Sequence, residues 1–258
     1  MSFDLPKAVA QFIGDAALIA DEIGESPSHV HHFTRGNDRF FLKVSAAIYA
    51  PTTYSVRREA RVLDWLSGRL AVPEVVLAAS NGDGEFMITR AVPGESLAAR
   101  ISAGRPVVEL FRDALHRLQA VQVDDCPFDS RVEVRLRELA YLLDHGLTAD
   151  DCDLDQWPGF AGPRDLLAHL EASRPREDVV FSHGDLCDNN VFVDDRDNLY
   201  FIDLGRGGRA DRWADITLVL RNLRDDISDD AAGEFLAAIG QADDGARRTF
   251  FEQLDELF

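Results

Sequence analysis

The stretch Phe181–Gly205, FSHGDLCDNNVFVDDRDNLYFIDLG, restricts what this chain can fold into more than any other. Its loop HGDLCDNN packs one histidine, two aspartates and two asparagines between uncharged, largely apolar runs, the pattern of short buried strands. VFV and LYFI stand on either side of the turn residues DDRDN and predict a hairpin that returns the chain beside its own start. Asp185, Asn190 and Asp203 are then expected around one small volume, although the first and last lie 18 residues apart. Asn190 and Asp203 offer hard oxygen ligands of the kind Mg²⁺ takes together with phosphate oxygens and waters. Asp185 is left to accept a hydroxyl proton or orient a nucleophile.

A second constraint is the choice of cation. Lysine occurs only at Lys7 and Lys43, and every other basic side chain among the 27 Lys and Arg residues is arginine. Lys43 sits in RFFLKV, a strand pattern, where a compact ammonium replaces the planar guanidinium used almost everywhere else. Glu59 follows 16 residues later on the helical period Val56, Ala60, Leu63, Leu66 and is available to hold that lysine. A strand lysine, a helix glutamate, H-G-D-L-C-D-N-N and D-L-G are the parts of the protein-kinase template for phosphoryl transfer. Each part alone is ordinary: a surface lysine, a solvated glutamate, a polar turn. Their joint occurrence in the right order, on the right elements, points to a kinase.

Residues 7–13 read as a short helix, and ALIADEI, HVHHFTR and DRFFLKV as three strands of an antiparallel meander. EVVLAAS and GEFMITR, joined across NGDG, form a hairpin that closes a small sheet. VPGES, residues 92–96, contains Pro93 and Gly94 and is the expected linker. Beyond it VVELFRDALHRLQAV, VRLRELAYLLDHGL, RDLLAHLEAS, RWADITLVLRNLRDD, AAGEFLAAI and ARRTFFEQLDELF read as helices, and ADDCDLDQWPGFAGP as a loop. The expectation is an α+β chain: a small antiparallel-sheet lobe with a helix over residues 1–91, a hinge at 92–96, and a larger, mainly helical lobe over 97–258.

The formal net charge of -19 repels phosphate backbones and anionic lipid, so a cationic small molecule is a better partner than nucleic acid or a membrane surface. MSFDLPKAVAQF lacks the basic flank and apolar run of a secretory signal, and no apolar stretch is long enough to span a bilayer. A soluble, cytoplasmic protein is expected. Cys126, Cys152 and Cys187 have neither the even count of a disulfide framework nor paired C-x-x-C spacing, and read as free thiols.

IGESPSHV, FLKV, REARVLDWL, FSHGDLCDNNVFVDD, FIDLGRGGRADRWADI and the terminal LDELF together resemble the aminoglycoside O-phosphotransferases, and among them the 3'-phosphotransferases. The likeness runs from about residue 20 to Phe258, and GRGGRADRW with the DELF ending is its most specific part. It implies a bilobal protein-kinase-like fold that uses ATP, with GTP as an alternative, and Mg²⁺. By that likeness Asp185 is the catalytic base, Asn190 and Asp203 are the metal ligands, and Lys43 paired with Glu59 holds the α- and β-phosphates. Ser26 and Ser28 in GESPS would cover the phosphates, Phe41 would stack near the adenine, and Thr89 to Ala91 would read its edge. His183 is expected to order its loop through backbone hydrogen bonds. Arg206 is open between a phosphate or Asp185 contact and a structural ion pair.

A polycationic aminoglycoside needs several carboxylates, because one exposed ion pair contributes only ~0.2–1 kcal/mol. The chain offers Asp153 and Asp155 in DCDLDQW, Asp225 and Asp226 at the end of RNLRDD, and Glu256 with the terminal carboxylate of Phe258. The expected activity is phosphorylation of an aminoglycoside hydroxyl, by a monomer or weak homodimer. A kinase for another small hydroxylated metabolite (choline, homoserine or a macrolide) and a catalytically silent binding protein of the same fold remain open at this point.

Overall fold

The computed structural model describes residues 4–21, 26–148 and 154–258. The chain divides into two compact units: residues up to Ser96 together with Asn190–Arg206, and Leu97–Asn189 together with Gly207–Phe258.

The first unit is built on an antiparallel sheet of β1 (Ile19–Asp21), β2 (His29–Arg35), β3 (Asp38–Ala46), β4 (Val75–Ser80) and β5 (Gly84–Arg90), in the order β1-β2-β3-β5-β4. From Phe40 to Val44 β3 alternates: Phe40, Leu42 and Val44 are buried, while Phe41 and Lys43 point to the other face. The buried face continues through Phe33, Phe86 and Ile88 and is covered by α1 (Lys7–Ile13), whose Val9 and Ile13 reach the same core. Phe12 adds edge-on ring contacts to Phe40 at 5.2 Å and to Phe33 at 6.3 Å.

Helix α2 (Val56–Leu66) starts at three otherwise orphaned N–H groups, each of which finds an acceptor. Arg58 N–H donates to the capping hydroxyl of Ser55, Arg57 N–H to Glu85 on β5, and Val56 N–H to Ser45 on β3. Ser55 itself donates to Glu85 at 2.6 Å. These bonds fix the start of α2 on the sheet, and with it the direction in which Glu59, one turn in, projects.

The expected linker forms structure of its own. Gly94 turns at φ 91°, and a Cβ there would stand 2.2 Å from the Val193 carbonyl oxygen, so only glycine fits. Glu95–Ser96 then forms β6, which pairs with β8 (Val191–Val193), itself paired with β9 (Leu199–Phe201). Phe201 N–H donates to the Ala71 carbonyl. Through these bonds residues 190–206 belong to the first unit, whereas the sequence reading placed all of 97–258 in one lobe.

Asp194 organises the β8–β9 turn, accepting from the backbone N–H groups of Arg196 and Asn198, the Asn198 amide and the Tyr200 hydroxyl. Hydrogen bonds from Asn198 lead the causes that bring its carboxyl pKa down to about 2 from the ordinary 3.8. A depressed carboxyl stabilises the turn above its unfolded value, and that contribution is lost as pH falls through the folded one. Following the Asp194 carboxyl carbon by NMR on acidification should therefore give a midpoint well below 3.8. A midpoint at the ordinary value would mean that the turn forms without the carboxylate's help.

The second unit contains α3 (Leu97–Ser102), α4 (Val108–Gln119), α5 (Val132–His145), α6 (Pro163–Ala172), α7 (Trp213–Asp226), α8 (Asp229–Ala238) and α9 (Gly245–Asp255). Phe111, Leu115, Leu139, Phe181, Val219, Leu223 and Phe235 are among its fully buried side chains. β7 (Val179–Ser182) pairs antiparallel with β10 (Gly208–Asp211). Asp211, fully buried, accepts from the N–H groups of Asp178 and Trp213 and from the Arg247 guanidinium, joining β10 to α9. Both α3 and β10 escaped the sequence reading. Glycine, alanine and aspartate in GRAD disfavour a strand locally, and pairing with β7 overrides that preference. Cys126 and Cys187 are free thiols, and among the described residues no helix is long and apolar enough to cross a membrane.

Candidate active site

In the first unit the β3 lysine and the α2 glutamate meet as the template requires. Lys43 Nζ lies 2.9 Å from Glu59 Oε2 and 2.5 Å from Asp203 Oδ1. The lysine and glutamate side chains are 14% and 6% exposed, the aspartate 40%, so the outer carboxylate is the one a ligand can reach. Burial alone would lower the Lys43 pKa, but the carboxylates of Asp203 and Glu59 outweigh it and hold the ammonium charged, its pKa raised above 10.5. Burial pushes the Glu59 carboxyl up, against the pull of Lys43. One ammonium against two carboxylates leaves an excess negative charge, which suits a divalent cation.

Asp203 has φ 56°, a left-handed conformation that costs a non-glycine residue about 1–2 kcal/mol. Its neighbours hold it there. Ile202 N–H donates to the Asn190 carbonyl at 3.0 Å, so the hairpin returns the two expected metal ligands to adjacent backbone positions. On the other side Arg58 donates to the Gly205 carbonyl. An amide oxygen and a half-exposed carboxylate on a locked backbone fit Mg²⁺, whose remaining positions are normally filled by water and phosphate.

The sheet face that carries Lys43 also carries Phe41, opposite His32 on β2 and Thr89 on β5. The His32 ring meets Phe41 edge-on at 6.2 Å, and the Arg39 guanidinium lies 5.2 Å from the Phe41 centroid. Of the segment expected to read an adenine edge, the Ala91 N–H is already engaged by the Arg39 carbonyl at 2.9 Å, which extends the β3–β5 pairing. The N–H of Ala91 is thus engaged within the sheet in this structure. In the loop expected to cover the phosphates, Ser28 N–H donates to Ser26 Oγ, and among the described residues the Ser28 hydroxyl has no partner. Arg206 donates to the Tyr54 hydroxyl at 3.2 Å, with its guanidinium 5.6 Å from that ring's centroid.

In the second unit the loop bearing Asp185 is anchored from beneath by Asp215, in the first turn of α7. Asp215 is 1% exposed and accepts from His183 N–H, Gly184 N–H and the Ser182 hydroxyl, each at 2.9 Å. His183 thus orders its loop through the backbone, as expected, with its ring fully buried. Burial raises the Asp215 carboxyl pKa, opposed by His183 and these donors. Farther along the loop, Asp188 N–H donates to the Asn222 amide oxygen at 2.8 Å, and the Asn222 amide N–H donates in turn to Asp226.

Arg221, one position before Asn222, bonds to Asp255 at 2.6 Å. Burial would lower its pKa, but Asp255, Glu256 and Asp185 outweigh that and raise it. Asp185 and Glu256, expected as catalytic and acceptor-binding residues, therefore lie within electrostatic reach of one guanidinium. The Phe258 ring lies under the Arg135 guanidinium at 3.6 Å, which docks the chain end on α5. Asp225 is exposed at the end of α7, 3.6 Å from Arg224. Asp153 lies outside the described residues, and Asp155 falls in the short 3₁₀ turn Leu154–Gln156.

Asp215, Asn222 and Arg58 were not singled out from the sequence. No local signal marked them: Asp215 stands in the first turn of α7 beside, not on, the apolar stripe of Trp213, Ile216, Val219 and Leu223.

The chain matches the phosphotransferase enzyme family, APH, over residues 20–251. It is 40% identical over 258 residues to an aminoglycoside 3'-phosphotransferase of Acinetobacter baumannii, covering 98% of this chain and 99% of the relative. Among solved structures it resembles an aminoglycoside-3'-phosphotransferase of type VIII, with a TM-score of 0.80 at 30% identity over 97% of both chains. An aminoglycoside phosphotransferase of Streptomyces rimosus, in complex with ADP and streptomycin, gives a TM-score of 0.78 at 26% identity, covering 96% of this chain and 95% of that one. Likeness of this extent places the chain in the APH phosphotransferase enzyme family, alongside the aminoglycoside 3'-phosphotransferases.

Proposed function

We propose that the chain transfers the γ-phosphoryl group of ATP, with GTP as an alternative donor, to the 3'-hydroxyl of a kanamycin- or neomycin-type aminoglycoside. It would do so in the cytoplasm and thereby confer resistance. The observation that carries this reading is the buried Lys43–Glu59 pair with Asp203 at 2.5 Å from the same ammonium. That arrangement has no use in a silent binding protein and a direct one in phosphoryl transfer.

In this mechanism Lys43, oriented by Glu59, neutralises α- and β-phosphate oxygens. Asn190 and Asp203 would hold Mg²⁺, which would offset negative charge on the transferring phosphate. Ser26 and Ser28 supply hydroxyls over the phosphates, and Phe41 a platform for the base. Asp185 accepts the proton of the sugar hydroxyl as that oxygen bonds to the γ-phosphorus and the bond to the ADP oxygen breaks; the proton then passes to solvent. Positioning supplies most of the rate enhancement in such a reaction. Glu256, Asp225 and Asp226, with Asp153 and Asp155, supply the negative charge that draws in a polycation.

Drug-susceptibility profiling of a host expressing the chain tests this directly. Resistance to kanamycin without resistance to tobramycin, which lacks the 3'-hydroxyl, is the expected pattern. Equal resistance to both would move the site of transfer elsewhere on the sugar. Resistance to neither, with turnover on choline, homoserine or a macrolide, would change the acceptor class.

A further inference from the structure

We propose that Arg58 is a positioning residue that keeps Asp203 in its metal-binding conformation, an inference that rests on the kinase reading above. Arg58 is half-buried in the first turn of α2, where its N–H is capped by Ser55 Oγ at 3.1 Å. Its side chain crosses to the Gly205 carbonyl, two residues beyond Asp203. Gly205 approaches α2 so closely that a Cβ on it would stand 2.8 Å from the Thr53 carbonyl oxygen and 3.7 Å from Glu59 Oε2. The D-L-G segment therefore lies directly against the start of the helix that carries Glu59.

Asp203 is held in its left-handed conformation from three directions. Ile202 N–H bonds to the Asn190 carbonyl on one side, Arg58 bonds to the Gly205 carbonyl on the other, and Lys43 holds the carboxylate itself. In the proposed reaction Lys43 is drawn to phosphate oxygens and cannot remain fully committed to Asp203. The Arg58 bond reaches a backbone carbonyl, so it does not compete with phosphate or metal for Asp203. A guanidinium offers several donors in a rigid fork to a backbone carbonyl, which a flexible ammonium does not. Arg58 thus ties the D-L-G backbone to the first turn of α2, whose own placement, and with it that of Glu59, is fixed separately by Ser45, Ser55 and Glu85.

The test uses the full chain with Arg58→Ala and Arg58→Lys, and the exposed neighbour Arg57→Ala as control. Mn²⁺ binding in the presence of ADP is followed by electron paramagnetic resonance, metal-free ADP binding by calorimetry, and folding by thermal denaturation. Arg58→Ala should weaken Mn²⁺ binding about 10-fold or more, the loss seen when a group that orients a metal ligand is removed. Metal-free ADP binding should be essentially unchanged, Arg58→Lys should recover part of the loss, and Arg57→Ala should match the unsubstituted protein. Unchanged Mn²⁺ binding in Arg58→Ala, with or without a lower melting temperature, would overturn the assignment and leave a merely structural contact. If Arg58→Ala does not fold, Arg58→Lys and Arg58→Gln carry the same comparison, and unchanged Mn²⁺ binding in both would overturn it equally. An unsubstituted chain that binds neither ADP nor Mn²⁺ with ADP would instead defeat the kinase reading, and the role of Arg58 with it.

Discussion

Replacing Asp185 with alanine should lower turnover with kanamycin and ATP by about 10²- to 10⁴-fold, the usual contribution of a positioned general base. Nucleotide affinity should change little, because the Lys43–Glu59–Asp203 cluster is built entirely from β3, α2 and the D-L-G segment. The fold should survive, since Arg221 loses one of its carboxylate neighbours but keeps Asp255 at 2.6 Å. Steady-state kinetics with calorimetric ADP binding separates the two effects. Turnover equal to that of the unsubstituted enzyme would remove Asp185 from the chemistry. A parallel loss of nucleotide affinity would mean that it acts through the loop rather than on the hydroxyl.

The second large effect is expected at Asp215, which touches no substrate in the proposed reaction. Asp215→Ala strips the acceptor from the His183 N–H and the Ser182 hydroxyl at a site 1% exposed, and leaves the Gly184 N–H with Ser182 Oγ alone. Each buried donor left without a partner costs about 1–3 kcal/mol, and as close neighbours the two are not strictly additive. A total of about 3–5 kcal/mol is a large share of the ~5–15 kcal/mol that holds a typical protein folded. The melting temperature should fall by roughly 10 °C, and turnover should be largely lost even where the protein remains folded. Asp215→Asn retains one oxygen where the carboxylate uses two, Oδ2 for His183 and Oδ1 for Gly184 and Ser182, so it should fall between the two. Calorimetry and turnover on the same samples decide the matter, and a variant that melts and turns over like the unsubstituted protein would show that the loop is held by something else.

The parts of the site that were legible are those where one residue type announces its chemistry. Lys43 was visible because the chain otherwise uses arginine, and Glu59 because a helical period placed it among apolar positions. Asn190 and Asp203 were visible because turn residues between two strand runs imply a hairpin, and the Ile202–Asn190 backbone bond is that hairpin's closure. Most elements could be read in the same way. The Phe40, Leu42, Val44 alternation and the α7 stripe bury the side chains that their periods predict.

What stayed hidden depended on partners far away in sequence. Asp215 is one aspartate among many in a chain of net charge -19, and only the return of α7 beneath residues 182–184 singles it out. Arg58 resembles its exposed neighbour Arg57 until Gly205 is placed against α2. The strand Gly208–Asp211 has poor local propensity, and the Ala91 N–H pairs with a carbonyl 52 positions earlier.

By itself, then, the sequence determined the chemistry on offer: one ammonium placed to meet a buried glutamate, hard oxygen ligands at the two ends of a hairpin, and an acidic surface suited to a cation. Side-chain type and short-range period are local properties, and they survive being read one residue at a time. Only the tertiary structure decided which groups hold those residues in place, because a buried donor or a left-handed aspartate must be satisfied by whatever the fold brings to it. For Asp185 that group is Asp215, 30 residues on; for Asp203 it is Arg58, 145 residues back.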